Sequence, residues 1–327
     1  MRYFGATALV SVVACAAVFA IGEERARAAC AAPQVLETFV SGVDIPESIT
    51  TDGEGNLFVT NANTVLRRPP GGNFSIYAQL PIAAFALGVK IGPDACVYTA
   101  STSLDPSVPG AFVWRICAPG SVEVFAELDQ AGAPNDLAFD EAGDLFVSDP
   151  ALGRIWRLDT DGTPDVFADH ELLDGDPADP ALLFRPVGAN GLAIDKQGRT
   201  LYVSNTDQGT VLRLDLGDVA PVPEVFVEDA RLRGADGIAF DRSETLFVAV
   251  NPTDTLVSVS ASRKIRVLSE GAPLDGPSSL VFGATHGDRH TLYLVSSAFS
   301  RTLGFQPPPA APAVLTWATS TPGLSLP

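Results

Sequence analysis

Apolar and polar residues alternate along most of this chain in short runs broken by glycine-containing turns, which is the period-two signature of half-buried strands joined as hairpins. One unit recurs: a small or polar residue, an aliphatic, a small residue, an aliphatic, an Asp, a Gly turn, then Leu-aromatic-Val. Copies run Ser48-Ile49-Thr50-Thr51-Asp52 to Leu57-Phe58-Val59, Asp136-Leu137-Ala138-Phe139-Asp140 to Leu145-Phe146-Val147, and Gly191-Leu192-Ala193-Ile194-Asp195 to Leu201-Tyr202-Val203. Three more run Gly237-Ile238-Ala239-Phe240-Asp241 to Leu246-Phe247-Val248, a degenerate Gly88-Val89-Lys90-Ile91 to Val97-Tyr98-Thr99, and Ser279-Leu280-Val281-Phe282 to Leu292-Tyr293-Leu294. The aromatic therefore recurs every 40–56 residues.

Each hairpin is followed by two further short runs, such as Arg154-Ile155-Trp156-Arg157-Leu158 then Asp165-Val166-Phe167-Ala168. Four strands per repeat at this period predict a propeller blade, and six repeats predict an all-β, six-bladed β-propeller. Val35 to Val40 resembles a fourth strand placed before the first hairpin, and Ala313 to Trp317 resembles a third strand placed after the last. Both are expected to join one blade and tie the ring shut, leaving few free edges. Gln306 to Pro312 then becomes the loop between that blade's second and third strands; a disordered Pro-rich tail is the alternative.

A basic start, an apolar run from about Ala6 to Ile21 and a small-x-small stretch ending at Ala28-Ala29 read as a secretory signal peptide over residues 1–28. Residues 29–327 are then expected to form a single propeller domain, secreted or periplasmic. The apolar run is short for a membrane span, and no later stretch offers one. Loss of the leader removes Arg2, Arg25 and Arg27 with Glu23 and Glu24, taking the formal net charge from −18 to −19. So acidic a surface disfavours nucleic acid and anionic lipid as partners and leaves a small-molecule substrate and a monomer as the expectation. In an oxidising compartment Cys96 and Cys117, in two runs that look antiparallel, are plausible disulfide partners. No Cys-x-x-Cys spacing supports a zinc site.

The first strand of each propeller blade lines the axis, so equivalent residues at its entrance converge. Two positions before the aliphatic stand Glu47, Leu87, Asn135, Asn190, Asp236 and Ser278. Two carboxylates and two carboxamides, with no Lys, Arg or His, suit a hard cation such as calcium. Asn and Asp before Gly are also turn formers, but Glu47 has no such excuse, and the four stand in register. Asp52, Asp140, Asp195 and Asp241 precede the turn at the other end of each hairpin and read as turn caps.

With Pro46-Glu47-Ser48, Pro134-Asn135-Asp136, Ala189-Asn190-Gly191 and Ala235-Asp236-Gly237, the chain resembles the senescence-marker-protein/gluconolactonase family of calcium-dependent six-bladed propellers, related to diisopropylfluorophosphatase and more distantly to paraoxonases. The resemblance implies that Glu47, Asn190 and Asp236 bind calcium directly and that Asn135 binds it directly or through water or substrate. It implies a metal-dependent hydrolase of a small ester-like substrate, foremost a lactone, with phosphotriesterase activity as a side reaction. Asp236 would act as base or nucleophile, with Asn135 and Asn190 orienting the substrate. Two departures stand out. The sugar lactonases carry Arg where this chain has Ala133, and the phosphatase relatives carry an acid, used for a second calcium, where this chain has Ala239.

Other chemistry is sparse. His286 and His290 fall in the turn of the sixth hairpin, and His170 lies in a long segment that reads as a polar loop or a lid. There is no Gly-x-Ser-x-Gly elbow and no phosphate loop. The alternatives are a non-catalytic propeller with a structural calcium, and a synthase or lyase on the same scaffold. Loops Leu104 to Gly110 and Asp169 to Pro186 would set the substrate.

Overall fold

The computed structural model describes residues 36–41, 43–105, 107–181 and 186–324. The leader expected over residues 1–28, and Cys30, lie outside them. The described chain forms six four-stranded antiparallel sheets, the six blades of the expected propeller. The inner strands are Pro46–Thr51, Ala84–Ile91, Leu137–Phe139, Ala189–Ile194, Ala235–Phe240 and Pro277–Phe282. In blades 1 to 5 the strands follow one another outward in chain order. The sixth is completed from both ends of the chain: Glu37–Ser41 forms its outer strand beside Ala313–Ala318. The ring is thus closed by antiparallel pairing, and residues 306–312 lie in the loop expected of them.

Apolar clusters fill the gaps between neighbouring blades. One joins Tyr98 and Val113 of blade 2 to Leu137 and Val147 of blade 3, and another joins Val211 and Val227 of blade 4 to Ile238 and Val257 of blade 5. The repeated aromatic serves these interfaces. Tyr202 meets Phe226 of its own blade and Phe240 of the next edge-to-face, at 5.1 and 4.9 Å, and Tyr98 meets Phe125 and Phe139 in the same way, both at 5.0 Å. Such pairs contribute roughly 0.5–1.5 kcal/mol beyond area burial. The Asp caps are as expected: Asp52 Oδ1 accepts from the Glu54 and Asn56 amides, and Asp241 Oδ1 from those of Ser243 and Thr245. Cys96 and Cys117 form a disulfide across blade 2.

Candidate metal and substrate site

All six residues of the predicted ring line one cavity of about 120 Å³ at one mouth of the axial channel. They reach it through a local irregularity. In blades 1, 2, 4, 5 and 6 the register of the inner strand shifts at the ring residue, for instance between Ala189 and Leu192 and between Ala235 and Ile238. A bulge adds a residue to one strand and re-aims its side chain. Asn190-Gly191 and Asp236-Gly237 are therefore bulges in strands, and the turn reading of these pairs does not hold. The glycines permit close approach. A Cβ on Gly191 would lie 2.3 Å from the Asp236 carbonyl oxygen, and one on Gly237 would lie 2.7 Å from Ser279 Cα.

Hydroxyls of the second strand satisfy the amides that follow the ring residues. Ser48, Asp136 and Gly191 donate their N–H to Thr60, Ser148 and Ser204, at 2.8 to 2.9 Å. Thr60 and Ser204 then donate onward to the carbonyls of Leu87 and Asp236, the ring residues of the next blade, at 2.8 and 2.7 Å. Gly88 N–H reaches the Asn135 carbonyl at 2.9 Å, and Ser278 Oγ reaches the Glu47 carbonyl at 2.6 Å. The ring is stitched blade to blade through its own backbone.

Asn190 and Asp236 are buried, while Glu47 and Asn135 are half-buried. Asn190 Nδ2 donates to Thr206 Oγ1 at 3.0 Å, and Asn251 Nδ2 donates to Asp236 Oδ2 at 3.3 Å. Glu47 Oε2 and Asn190 Oδ1 are shielded from solvent with no hydrogen-bond partner. Burial, then the charges of Asp236 and Asp136, hold the Glu47 carboxyl well above the usual range, with Lys90 pulling it down. Asp236 is pushed up to about 8, by burial first, against the hydrogen bond from Asn251 and with the Asp136 charge adding to the rise. The buried Asp236 carboxylate, the shielded Oε2 of Glu47 and the orphaned Asn190 amide oxygen, all acceptors, are a donor set suited to a hard cation.

Asp136 is set apart from the ring. Its carboxylate pairs with Lys90 Nζ at 3.3 Å and accepts the amides of Leu137 and Leu192, at 2.8 and 2.9 Å. Sequence reasoning missed this ion pair and Asn251. Lys90 was legible as the lone charge at its strand position in the six repeats. Asn251 was legible as the residue five after Leu246, matching Thr206 five after Leu201.

Most of the remaining cavity wall is apolar, with Phe85, Leu104, Pro150, Val187 and Phe299 among it, and Thr102, Asn251, Ser297 and Ser300 are its polar members. Phe85 and Phe299 meet at 5.9 Å. Phe299 opens a short helix, Phe299–Thr302, anchored by Arg301 to Asp275 and Asp254. Buried Asp207 accepts the amides of Asp176, Ala181 and Val187 and so pins the long loop that brings Pro186 and Val187 to the cavity. His170 caps the turn Glu171–Leu173 by accepting the Leu172 amide, while His286 and His290 are exposed at the sixth hairpin turn. None of the three is among the residues lining the cavity.

The fold and this oxygen-lined axial mouth place the chain in the class of six-bladed propellers with an axial site. Residues 107–298 match the SMP-30/gluconolactonase/LRE-like region, and the chain belongs to that family. A gluconolactonase from Xanthomonas campestris superposes with a TM-score of 0.65 at 16% identity, covering 91% of this chain and 92% of its own. Regucalcin, a calcium-binding protein from Agrobacterium tumefaciens, gives 0.65 at 16% identity, with 88% and 94% covered. A virginiamycin B lyase from Staphylococcus aureus gives 0.56 at 15% identity, with 81% and 85% covered. No curated protein matches the chain by sequence.

Proposed function

We propose that this protein is a calcium-dependent hydrolase of a small lactone or related ester whose body is apolar. The observation that carries the reading is the ring of Glu47, Asn135, Asn190 and Asp236 around one cavity, with Glu47 Oε2 and Asn190 Oδ1 buried and unpartnered. These four residues would hold the ion. Bound there, calcium would supply Lewis-acid polarisation of a carbonyl or phosphoryl oxygen.

The chain's own contribution is positional. Asn251 and Thr206 fix Asp236 and Asn190 from behind, at 3.3 and 3.0 Å. Asp236 presents its carboxylate to the cavity as base toward water or as nucleophile. Asn135 and Asn190 orient the substrate oxygen. Phe85, Leu104 and Phe299 exclude water from the substrate's body, and Ala133 stands where the sugar lactonases carry Arg. Membership of a family that includes gluconolactonases supports lactone hydrolysis, while the apolar wall favours an alkyl-substituted lactone over a polyhydroxylated one.

Hydrolysis of γ-nonalactone and glucono-δ-lactone, each with calcium, tests the reading. The alkyl lactone is expected to have a kcat/KM at least tenfold higher, about 1.4 kcal/mol of differential binding. A preference for the sugar lactone would contradict the apolar-substrate reading, and hydrolysis of neither would contradict the hydrolase.

A further inference from the structure

A second cavity, of about 600 Å³, opens at the other mouth of the same channel. Three residues beyond each ring residue along the inner strands lie Thr50, Lys90, Ala138, Ala193, Ala239 and Val281, and all six line it. Side chains three apart on a regular strand face opposite ways. In the five blades whose register shifts at the bulge, both fall on the axis side, and in blade 3 Asn135 lies ahead of its strand Leu137–Phe139, so the six blades build two rings roughly 10 Å apart at 3.3 Å per residue.

This lower ring differs in chemistry from the upper one. Four of its members are Ala or Val, and Ile91, Leu192, Ile238, Phe240, Leu280 and Phe282 extend the apolar surface. A channel that merely admits water has no need of such a lining, whereas ligand pockets are mostly apolar with a few placed polar groups. Charged residues of the hairpin turns, Asp140, Glu141, Asp195, Lys196 and Arg242, also line it, while the inner strands themselves contribute two polar groups on adjacent blades. Lys90 brings an ammonium, neutralised by Asp136 at 3.3 Å. Thr50 is fully buried, and its Oγ1 has no hydrogen-bond partner. Residues Pro322 to Leu324 run along the rim, with the Leu324 amide donating to the Phe240 carbonyl at 3.2 Å.

We propose that this lower cavity is a second binding site, distinct from the metal site, for a small molecule with an apolar body and one hydrogen-bond-accepting oxygen directed at Lys90 and Thr50. An ammonium already balanced by a carboxylate favours an uncharged acceptor such as a ketone or ester carbonyl. The proposal does not depend on the hydrolase reading.

Prodan, a neutral naphthyl ketone whose fluorescence reports both polarity and hydrogen bonding, is a suitable probe, titrated into the whole protein. Expected are saturable one-to-one binding with blue-shifted emission and at least tenfold loss of affinity in Ala239→Phe, which fills the cavity. Phe299→Trp, at the opposite mouth, is expected to leave the affinity unchanged. The propyl analogue, lacking the carbonyl oxygen, should bind at least tenfold more weakly to the unaltered protein, a comparison free of any folding defect. Absence of saturable binding, loss of binding in Phe299→Trp with retention in Ala239→Phe, or equal affinity for both compounds would each overturn the proposal.

Discussion

Asp236 sits under two opposing demands, since burial disfavours its charge while its proposed role requires that charge. Burial pushes its proton affinity up to about 8, and that of Glu47 is raised as well, first by burial and then by the charge of Asp236. For a carboxyl whose folded pKa exceeds its unfolded value, the native state holds more protons than the unfolded one, so stability falls as pH rises between the two. Without calcium, the melting temperature should therefore decline from about pH 4 to about pH 8. Saturating calcium should flatten that slope, because the ion balances the carboxylates, and its affinity should increase with pH. Differential scanning fluorimetry across this range, with EDTA and with calcium, checks both. Asn251→Ala removes the amide that holds Asp236 Oδ2 and should weaken calcium binding by about 10–100-fold, as loss of outer-shell partners does. Calorimetric titration reads that change, and the melting temperature in EDTA should barely move.

At the scale of strands and loops, the bulge is the device that makes the site. Ser204 serves it twice, accepting the Gly191 amide and donating to the Asp236 carbonyl. Ser204→Ala would leave that buried amide unsatisfied at a cost of about 1–3 kcal/mol, measurable by urea denaturation, with calcium affinity falling alongside because Asp236 loses its support. The same element shows what the sequence could reveal. Repeat register alone brought Glu47, Asn135, Asn190 and Asp236 to one axis, since equivalent positions in a closed ring must converge. It could not reveal the bulge, because Asn-Gly and Asp-Gly also suit turns, and only the distances at Gly191 and Gly237 identify close blade-to-blade packing. Nor could it bring Phe299 or Val187 to the cavity. Those placements depend on Arg301 meeting Asp275 and on Asp207 gathering amides from a distant loop, contacts with no periodic signature.

Across the whole molecule, the closing blade also touches the candidate site. Glu37–Ser41 pairs with Ala313–Ala318, so the sixth blade holds both ends of the chain. That same blade supplies Ser278, whose hydroxyl bonds to the Glu47 carbonyl at 2.6 Å across the closing seam. Removing residues up to Ser41 should expose the edge of Ala313–Ala318 and loosen Glu47. The truncated protein is expected to lose calcium affinity and to self-associate, which light scattering and calorimetry would detect. Unchanged affinity in a monomeric truncated protein would show that the seam does not support the site. The six-fold repeat made this closure readable, because a strand without a hairpin at each end of the chain has one partner that completes the ring.

The most direct test of the account is turnover of a panel of lactones, aryl esters and a phosphotriester, by the unaltered protein with calcium and after chelation, and by Asp236→Ala. Calcium-dependent hydrolysis is expected, strongest on an apolar lactone. In Asp236→Ala that activity should fall by about 10²–10⁴-fold or more, the scale of a lost acid–base group, with the fold intact by circular dichroism. Full activity in Asp236→Ala, or turnover indifferent to chelation, would contradict it.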